Sequence, residues 1–428
     1  MTGKRRAGKP GKTPPPVAAP VTGAATTIAP RKTRSEQRAE RRRQRRRRMG
    51  AGGIAAIVVG VLIAGAVGGF FAHQATSGSS APKDLESTLL VTMEGSDGSA
   101  IATLLAAHDV KAKQGLELLV PSRLITDVCG FGTQQFGQII GLPGGEQLSR
   151  RTMSQVLDNA TIDGSWTFTP DQFAKLVNNV GGVTVDVDAD VLAQQGGSTV
   201  VVVPAGKQQR LDGARAVAFA SYLGKGEDAT AVLSRFQTVF QAVVDALPSK
   251  TGDATGVLAG AGVRAGVPTD KLAALLTALA HDDKAQSLLP VDLPTKPIDS
   301  GGGATSYRTD PTELDKLVQA RLSASLPQRS GAKKPTVLIE NGVGTSGLVS
   351  SACDKLLPAG YGFAGSGNAP NFNYATSQVI VFSDTVAAAR TGDDIARLLK
   401  LPTGDVVSSS QGQNVADVVV ILGRDYHP

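Results

Sequence analysis

Between Met49 and Phe71 the chain carries no charged residue and no proline. That run is 23 residues long, and a membrane-spanning helix needs about 20. Seven of the 23 are glycine, which a soluble helix tolerates poorly and a membrane helix accepts. The Arg41–Arg48 block abuts one end, while residues 72–81 carry no Lys or Arg. Positive flanks stay cytoplasmic, so residues 49–72 are expected to be an uncleaved signal-anchor with the N-terminus inside. A cleaved signal peptide is the rival, but its apolar core is only about 7–15 residues long and its basic region is shorter.

Charge follows the same division. Sixteen of the 44 Lys+Arg and two of the 37 Asp+Glu fall in residues 1–48, so the tail is +14 and the remainder −7. The tail is rich in Pro, Ala, Gly, Thr and Arg, and it cannot bury enough apolar surface to fold. Its arginines have no interleaved aromatic residue and lie against the membrane segment. Topology and anionic lipid head groups account for them, and a nucleic-acid partner is not expected. Gly11-Lys12-Thr13 resembles the end of a phosphate-binding loop, but the upstream glycine position is Arg6 and no strand precedes it.

Beyond the anchor, a Ser/Gly/Ala/Pro linker is expected at 73–84 and a folded α/β region at 85–326. A polar, basic linker at 327–335 and a compact unit at 336–428 follow. Leu89–Met93, Leu116–Val120 and Val183–Val187 read as strands. Thr169 is placed to cap a helix, Pro170 suits its first turn, and Phe173, Leu176, Val177 and Val180 form its apolar face. A longer helix is expected over Ala229–Leu247, with Leu233, Phe236, Val239, Phe240, Val243 and Leu247 inward. This mixed order indicates helices packed over a sheet. The four histidines show no ligand spacing, and Cys129 and Cys353 are far apart among apolar neighbours. They read as two small buried thiols, although an exported chain could join them.

The segments FAKLVNNVGGVTVDVDADV (173–191), PAGKQQRLDGARAVAFASY (204–222) and GEDATAVLSRFQTVFQAV (226–243) resemble the LytR-CpsA-Psr family. TVLIENGVGTSGL (336–348) and VVVILGRDY (418–426) resemble the LytR C-terminal domain. The resemblance implies a single transmembrane helix, an α/β(α) sandwich-like extracytoplasmic domain and a small α/β C-terminal domain. It further implies work in the cell envelope. Such proteins bind polyprenyl-pyrophosphate-linked glycans outside the membrane and transfer the phosphoglycan to peptidoglycan. Arginine forks pair the phosphate oxygens, and acidic residues hold a divalent metal such as Mg²⁺.

The chain departs from that pattern at the charged positions. The early loop Gly95–Thr103 contains only Asp97, the Pro-Arg-Asp turn reads Pro121-Ser122-Arg123, and a paired arginine position reads Ser221-Tyr222-Leu223. An R-x-x-R spacing is reduced to Val232-Leu-Ser-Arg235. Arg123, Asp127, Asp228, Arg235 and Gln237 remain as candidates for a residual substrate-binding site; ordinary exposed ion pairs explain them equally well. The expectation is a non-catalytic or weakly active binder of wall glycopolymer or its polyprenyl carrier, working with membrane and envelope-assembly partners. Mg²⁺ is needed only if the chain is an active phosphotransferase, which would require about three basic groups around an acidic pair. A regulator is a third reading, but no helix-turn-helix signal supports it.

Gly342-Val-Gly344-Thr-Ser-Gly347 follows a strand and opens a helix, as a dinucleotide-binding loop does. The acidic residue that should end the next strand is missing, and the unit is too short for that fold. Glycine's freedom to turn tightly explains the motif, with a small anion at the helix start left open.

Overall fold

The computed structural model describes residues 86–299, 305–326, 335–402, 406–409 and 415–428. The basic tail, the Met49–Phe71 segment and the first linker lie outside the described residues, as does the second linker apart from Pro335. Among the described residues no helix is long and apolar enough to cross a membrane.

The first domain opens with β1 (Glu86–Glu94), β2 (Ala100–Asp109) and β3 (Gln114–Val120), then a hairpin of β4 (Ile125–Val128) and β5 (Gly132–Gln135). A 3₁₀ turn (Phe136–Gly141), α1 (Gly145–Val156), β6 (Gly164–Phe168) and α2 (Pro170–Asn179) follow. Next come β7 (Val183–Val187), β8 (Val191–Gln195), β9 (Ser198–Val203) and β10 (Gly206–Leu211). The helices α3 (Gly213–Ala220), α4 (Ala229–Ala246), α5 (Thr251–Gly260) and α6 (Thr269–Lys284) lead to β11 (Leu288–Asp292). The domain ends with β12 (Thr295–Asp299), β13 (Thr305–Thr309) and α7 (Pro311–Arg321).

Its central sheet has the order β11-β3-β2-β1-β6. The three middle strands are antiparallel, and the outer strands β6 and β11 run parallel to their neighbours. Side chains alternate across a strand, so one face presents Leu89, Val91, Met93, Leu104 and Leu119 to the layer containing α2 to α6. The other face presents Leu90, Leu105, Leu116, Leu118 and Val120 to the 3₁₀ turn, α1 and α7. Burial on both sides explains why these strands are almost continuously apolar.

Local signals set the helices as expected. Thr169 accepts from the Gln172 amide while the Gln172 side chain accepts from the Thr169 amide, a reciprocal cap with Pro170 in the first turn. Leu233, Phe236, Val239, Phe240, Val243 and Leu247 are all buried. Phe236 joins an aromatic cluster, 6.3 Å from Phe168, 6.0 Å from Phe173 and 6.1 Å from Phe240 between ring centres.

The second domain comprises β14 (Thr336–Asn341), α8 (Leu348–Leu356), β15 (Gly362–Asn368), β16 (Gln378–Val381), α9 (Val386–Leu399), β17 (Val406–Ser408) and β18 (Val418–Leu422). Its sheet order is β15-β14-β18-β16-β17, with only β16 and β18 antiparallel. Between β14 and α8, Gly344 and Gly347 take φ of +75° and +85°, the conformation for which glycine is needed. Asn341 Oδ1 accepts from the Val343 and Gly344 amides, and its Nδ2 donates to the Thr345 carbonyl. These loop amides are therefore satisfied from within the chain.

One expectation is overturned. Cys129 and Cys353 are joined as a disulfide. Sequence distance hid the pairing because Cys129 lies at the β4–β5 turn, and that turn packs against α8 of the second domain.

Truncating Phe236 to alanine should remove the centre of the aromatic cluster and cost about 3–5 kcal/mol of stability. Urea denaturation followed by Trp166 fluorescence measures it, and a loss below about 1 kcal/mol would contradict this packing.

Candidate functional site

An open cleft of about 530 Å³ lies between the first half of α4 and the edge strand β11. Leu119, Thr230, Ala231, Ser234, Gln237, Pro290, Val291 and Asp292 line it. Strand β11 is held beside β3 in parallel register, with Asp292 opposite Leu119. Helix α4 begins at Asp228, whose carboxylate accepts from the Thr230 amide at 2.9 Å. The lining offers hydroxyls, an amide and a carboxylate; none of its eight side chains is basic.

Asp292 lines the cleft and feels the charge of Asp228. Desolvation raises the pKa of Asp292 first, and the charge of Asp228 adds to it. Tyr307 is also raised by desolvation and by both carboxylates, while Arg123 partly offsets them. The Tyr307 amide donates to the Arg123 carbonyl at 3.1 Å. Arg123 and Asp228 are thus brought into one electrostatic neighbourhood with Asp292 and Tyr307.

Arg235 is placed differently. It is 3 % exposed, and a buried guanidinium must find partners for its charge. Nε and Nη2 bind the two oxygens of Asp188 at 3.0 and 2.7 Å. Nη1 and Nη2 bind Glu227 at 2.7 and 2.8 Å, and Nη1 also donates to the Tyr222 carbonyl at 2.8 Å. The Tyr222 ring lies 5.3 Å from the guanidinium carbon. Guanidinium has five N–H donors, and this clasp engages all of them. Glu227 and then Asp188 raise its pKa further, and Arg235 in turn holds Glu227 below its ordinary range. Arg235 joins the end of β7, the loop before α4 and the end of α3.

Gln237 lines the cleft and reaches beneath it, donating to Glu117 Oε2 at 2.6 Å. Glu117 lies in the middle of β3 and is wholly buried. Among the described residues its Oε1 has no partner, and neither has the buried Oε1 of Gln241. Burial pushes Glu117 up to about 8; the Gln237 hydrogen bond opposes the shift, and Asp283 and Asp245 reinforce it. Asp245 is itself pushed up to about 6, by burial first and then by Asp283.

Asp127 is exposed on the β4–β5 hairpin, where its carboxylate accepts from Thr133, its cross-strand neighbour, at 2.5 Å. No described contact brings it to the cleft lining. Sequence reasoning did not single out Glu117, Asp292 or Tyr307. Glu117 had a visible signal, a lone carboxyl inside the apolar run LELLV. Asp292 and Tyr307 had none, because their importance comes from the pairing of β11 and β13 with the first strands' loops.

Metal holding can be judged from the donors. Among the described residues no three Asp, Glu, His or Cys side chains converge to hold an ion. Mg²⁺, however, needs only one or two carboxylates when phosphate oxygens and water complete its shell. Asp292 in the lining and Asp228, near enough to raise its pKa, are the carboxylates that would hold it.

Two predictions follow from these groups. Between its ordinary value of 4.5 and about 8, Glu117 is protonated when folded and ionised when unfolded. Its contribution is complete below the ordinary value and declines as pH rises towards the folded one. Native stability should therefore fall between pH ~6 and ~8, above the Asp245 window, by up to about 1.4 kcal/mol per pH unit. E117Q should flatten that decline in urea titrations, and an unchanged slope would remove Glu117 as its source. Separately, R235M should cost about 1–3 kcal/mol, because it removes at once the charge-assisted bonds to Glu227 and Asp188 and the donor to the Tyr222 carbonyl. D188A should cost clearly less, since Asp188 is 59 % exposed and water replaces the partner it loses.

The LytR-CpsA-Psr family model matches residues 125–287. The model described as LytR cell envelope-related transcriptional attenuator matches residues 334–426. Among solved structures, TagV of B. subtilis is 18 % identical with a TM-score of 0.48, covering 56 % of this chain and 96 % of its own. A LytR-Csp2A-Psr enzyme from Actinomyces oris is 19 % identical with a TM-score of 0.45, covering 58 % and 93 %. TagT of B. subtilis is 20 % identical with a TM-score of 0.45, covering 58 % and 94 %. No curated protein matches the chain.

Proposed function

We propose, from the LytR-CpsA-Psr model over residues 125–287 and the LytR C-terminal model over residues 334–426, that the chain is a membrane-anchored envelope protein that binds a wall glycopolymer or its polyprenyl-pyrophosphate carrier with little or no phosphoryl transfer. Residues 49–72 anchor it, the tail is cytoplasmic, and both folded domains face outward. The Cys129–Cys353 disulfide supports export, since such bonds form and persist outside the reducing cytoplasm.

The observation that carries the weak-catalysis reading is the occupancy of Arg235. All five of its donors are used by Asp188, Glu227 and the Tyr222 carbonyl. A phosphate ligand would have to dismantle that clasp to use them. Among the described residues Arg123 is the cation that acts on Tyr307 beside Asp228 and Asp292, so a pyrophosphate gains few charge-assisted bonds there. Hydroxyls and amides of Thr230, Ser234 and Gln237 suit sugar hydroxyls better.

A phosphotransferase is the second reading, favoured by the acidic pair alone. Asp228 and Asp292 would hold Mg²⁺, which supplies Lewis-acid offset of phosphoryl charge. Arg123 would orient a phosphate oxygen.

The full chain in detergent, titrated with a polyprenyl-pyrophosphate-linked glycan and Mg²⁺, should bind without releasing a phosphorylated product. Release of that product would establish the second reading instead. Protease added to intact cells should remove the C-terminal domain, and protection of that domain would overturn the orientation.

A further inference from the structure

The β4–β5 hairpin belongs to the first domain but ends inside the second. Cys129 at its turn is 1 % exposed and is counted among the apolar core residues packed around α8 and α9. Every other member of that core, among the described residues, comes from the second domain. The first domain therefore contributes a single apolar knob, and that knob is bonded to Cys353 on α8.

The surrounding contacts are polar. Ser350 Oγ donates to the Cys129 carbonyl at 3.3 Å, and Arg151 Nη2 reaches the same oxygen at 3.4 Å. The Gly130 amide donates to Ser366 Oγ at 3.2 Å, and Arg151 pairs with Asp354, which is 49 % exposed. Contacts of this kind contribute about 1 kcal/mol or less each. One small side chain, a few such bonds and the approach of β15 to β4 and β5 are a modest hold on a domain. The covalent bond changes the arithmetic, because it keeps the hairpin and α8 at a high effective concentration.

We infer that Cys129–Cys353 is a redox latch that locks the C-terminal domain onto the β4–β5 hairpin and releases it on reduction. The closing chemistry needs a disulfide-donating thiol oxidoreductase outside the cytoplasm, and in this respect the inference rests on the exported orientation. One thiolate of the chain attacks a sulfur of the donor disulfide and expels the donor's other thiolate. The second thiolate of the chain then displaces the donor from the mixed disulfide. The chain loses two protons and two electrons, and the donor disulfide becomes a dithiol. Both sulfur atoms are buried once the domains are docked, so exchange in either direction goes through a transient parting of the hairpin from α8. On release a thiolate of an extracytoplasmic dithiol reductant attacks one sulfur and expels the other as a thiolate, and the reductant's second thiol then displaces the chain and leaves the reductant as a disulfide. The latch lies close in sequence to the site: Arg123, whose carbonyl accepts from the Tyr307 amide, just precedes the hairpin.

The test uses the full chain taken from membranes. After denaturation, a maleimide–polyethylene glycol reagent should label no thiol without reductant and both cysteines with it. A labelled thiol in unreduced chain overturns the latch; if protease has already shown the C-terminal domain outside, the envelope reading survives that result. Hydrogen exchange of the oxidised chain is then compared with the reduced chain and with C129S and C353S, two variants that break the same bond from opposite sides. Amides of 128–135 and 348–356 should exchange about tenfold faster in all three, with the β1–β3 sheet unchanged. Equal exchange at the hairpin refutes the latch. Acceleration throughout the β1–β3 sheet also refutes it, since the bond would then be a general stabiliser.

Discussion

A guanidinium removed from water has to be paired, and Arg235 is the place where that requirement organises the first domain. Its partners come from three separate stretches: Asp188 after β7, Glu227 before α4 and the Tyr222 carbonyl after α3. Satisfying one buried charge therefore fixes where α4 starts relative to the sheet. Everything at the cleft depends on that placement. With α4 set, Gln237 lies over β3 and meets Glu117, while Thr230 and Ser234 face β11. Arg235, a candidate for the substrate site on its sequence, is also the bracket on which the cleft wall hangs.

The unsatisfied acceptors lie beneath the cleft and not in its lining. Glu117 and Gln241 each leave a buried oxygen unpartnered among the described residues, and burial pushes Glu117 well above the usual carboxylate range. Such a group can be accommodated only by keeping protons on carboxyls that would be ionised in water. A polyanionic ligand finds little to neutralise it there. A sugar, which both donates and accepts, meets no such penalty.

Elements carried by local rules were legible in the sequence. The helix α2 announced itself through Thr169, Pro170 and the spacing of Phe173, Leu176 and Val177, and α4 through its apolar stripe. The glycine-rich turn before α8 was also readable as a turn, although Asn341's part in satisfying it was not. What stayed hidden depends on strand pairing and domain docking. Asp188 sits in plain view within VDVDADV, yet nothing local says that it meets Arg235. The same holds for Cys129 with Cys353, and for Asp292 and Tyr307 beside Asp228. Glu117 is the intermediate case, since a carboxyl inside LELLV demands an explanation but does not name Gln237 as its partner.

Strand order has a consequence for how the cleft comes into being. The middle strands β1, β2 and β3 follow one another along the chain and can pair through short turns. Strand β11 pairs Leu289 with Leu116, so nearly the whole domain must be gathered first. The entropy of closing so long a loop falls on that one edge, and long-range pairings of this kind are slow to form. The floor of the cleft is thus an early part of the fold and its β11 wall a late one. A nascent or partly unfolded chain would carry Glu117 within the β1–β3 sheet before it had any cleft to offer a ligand.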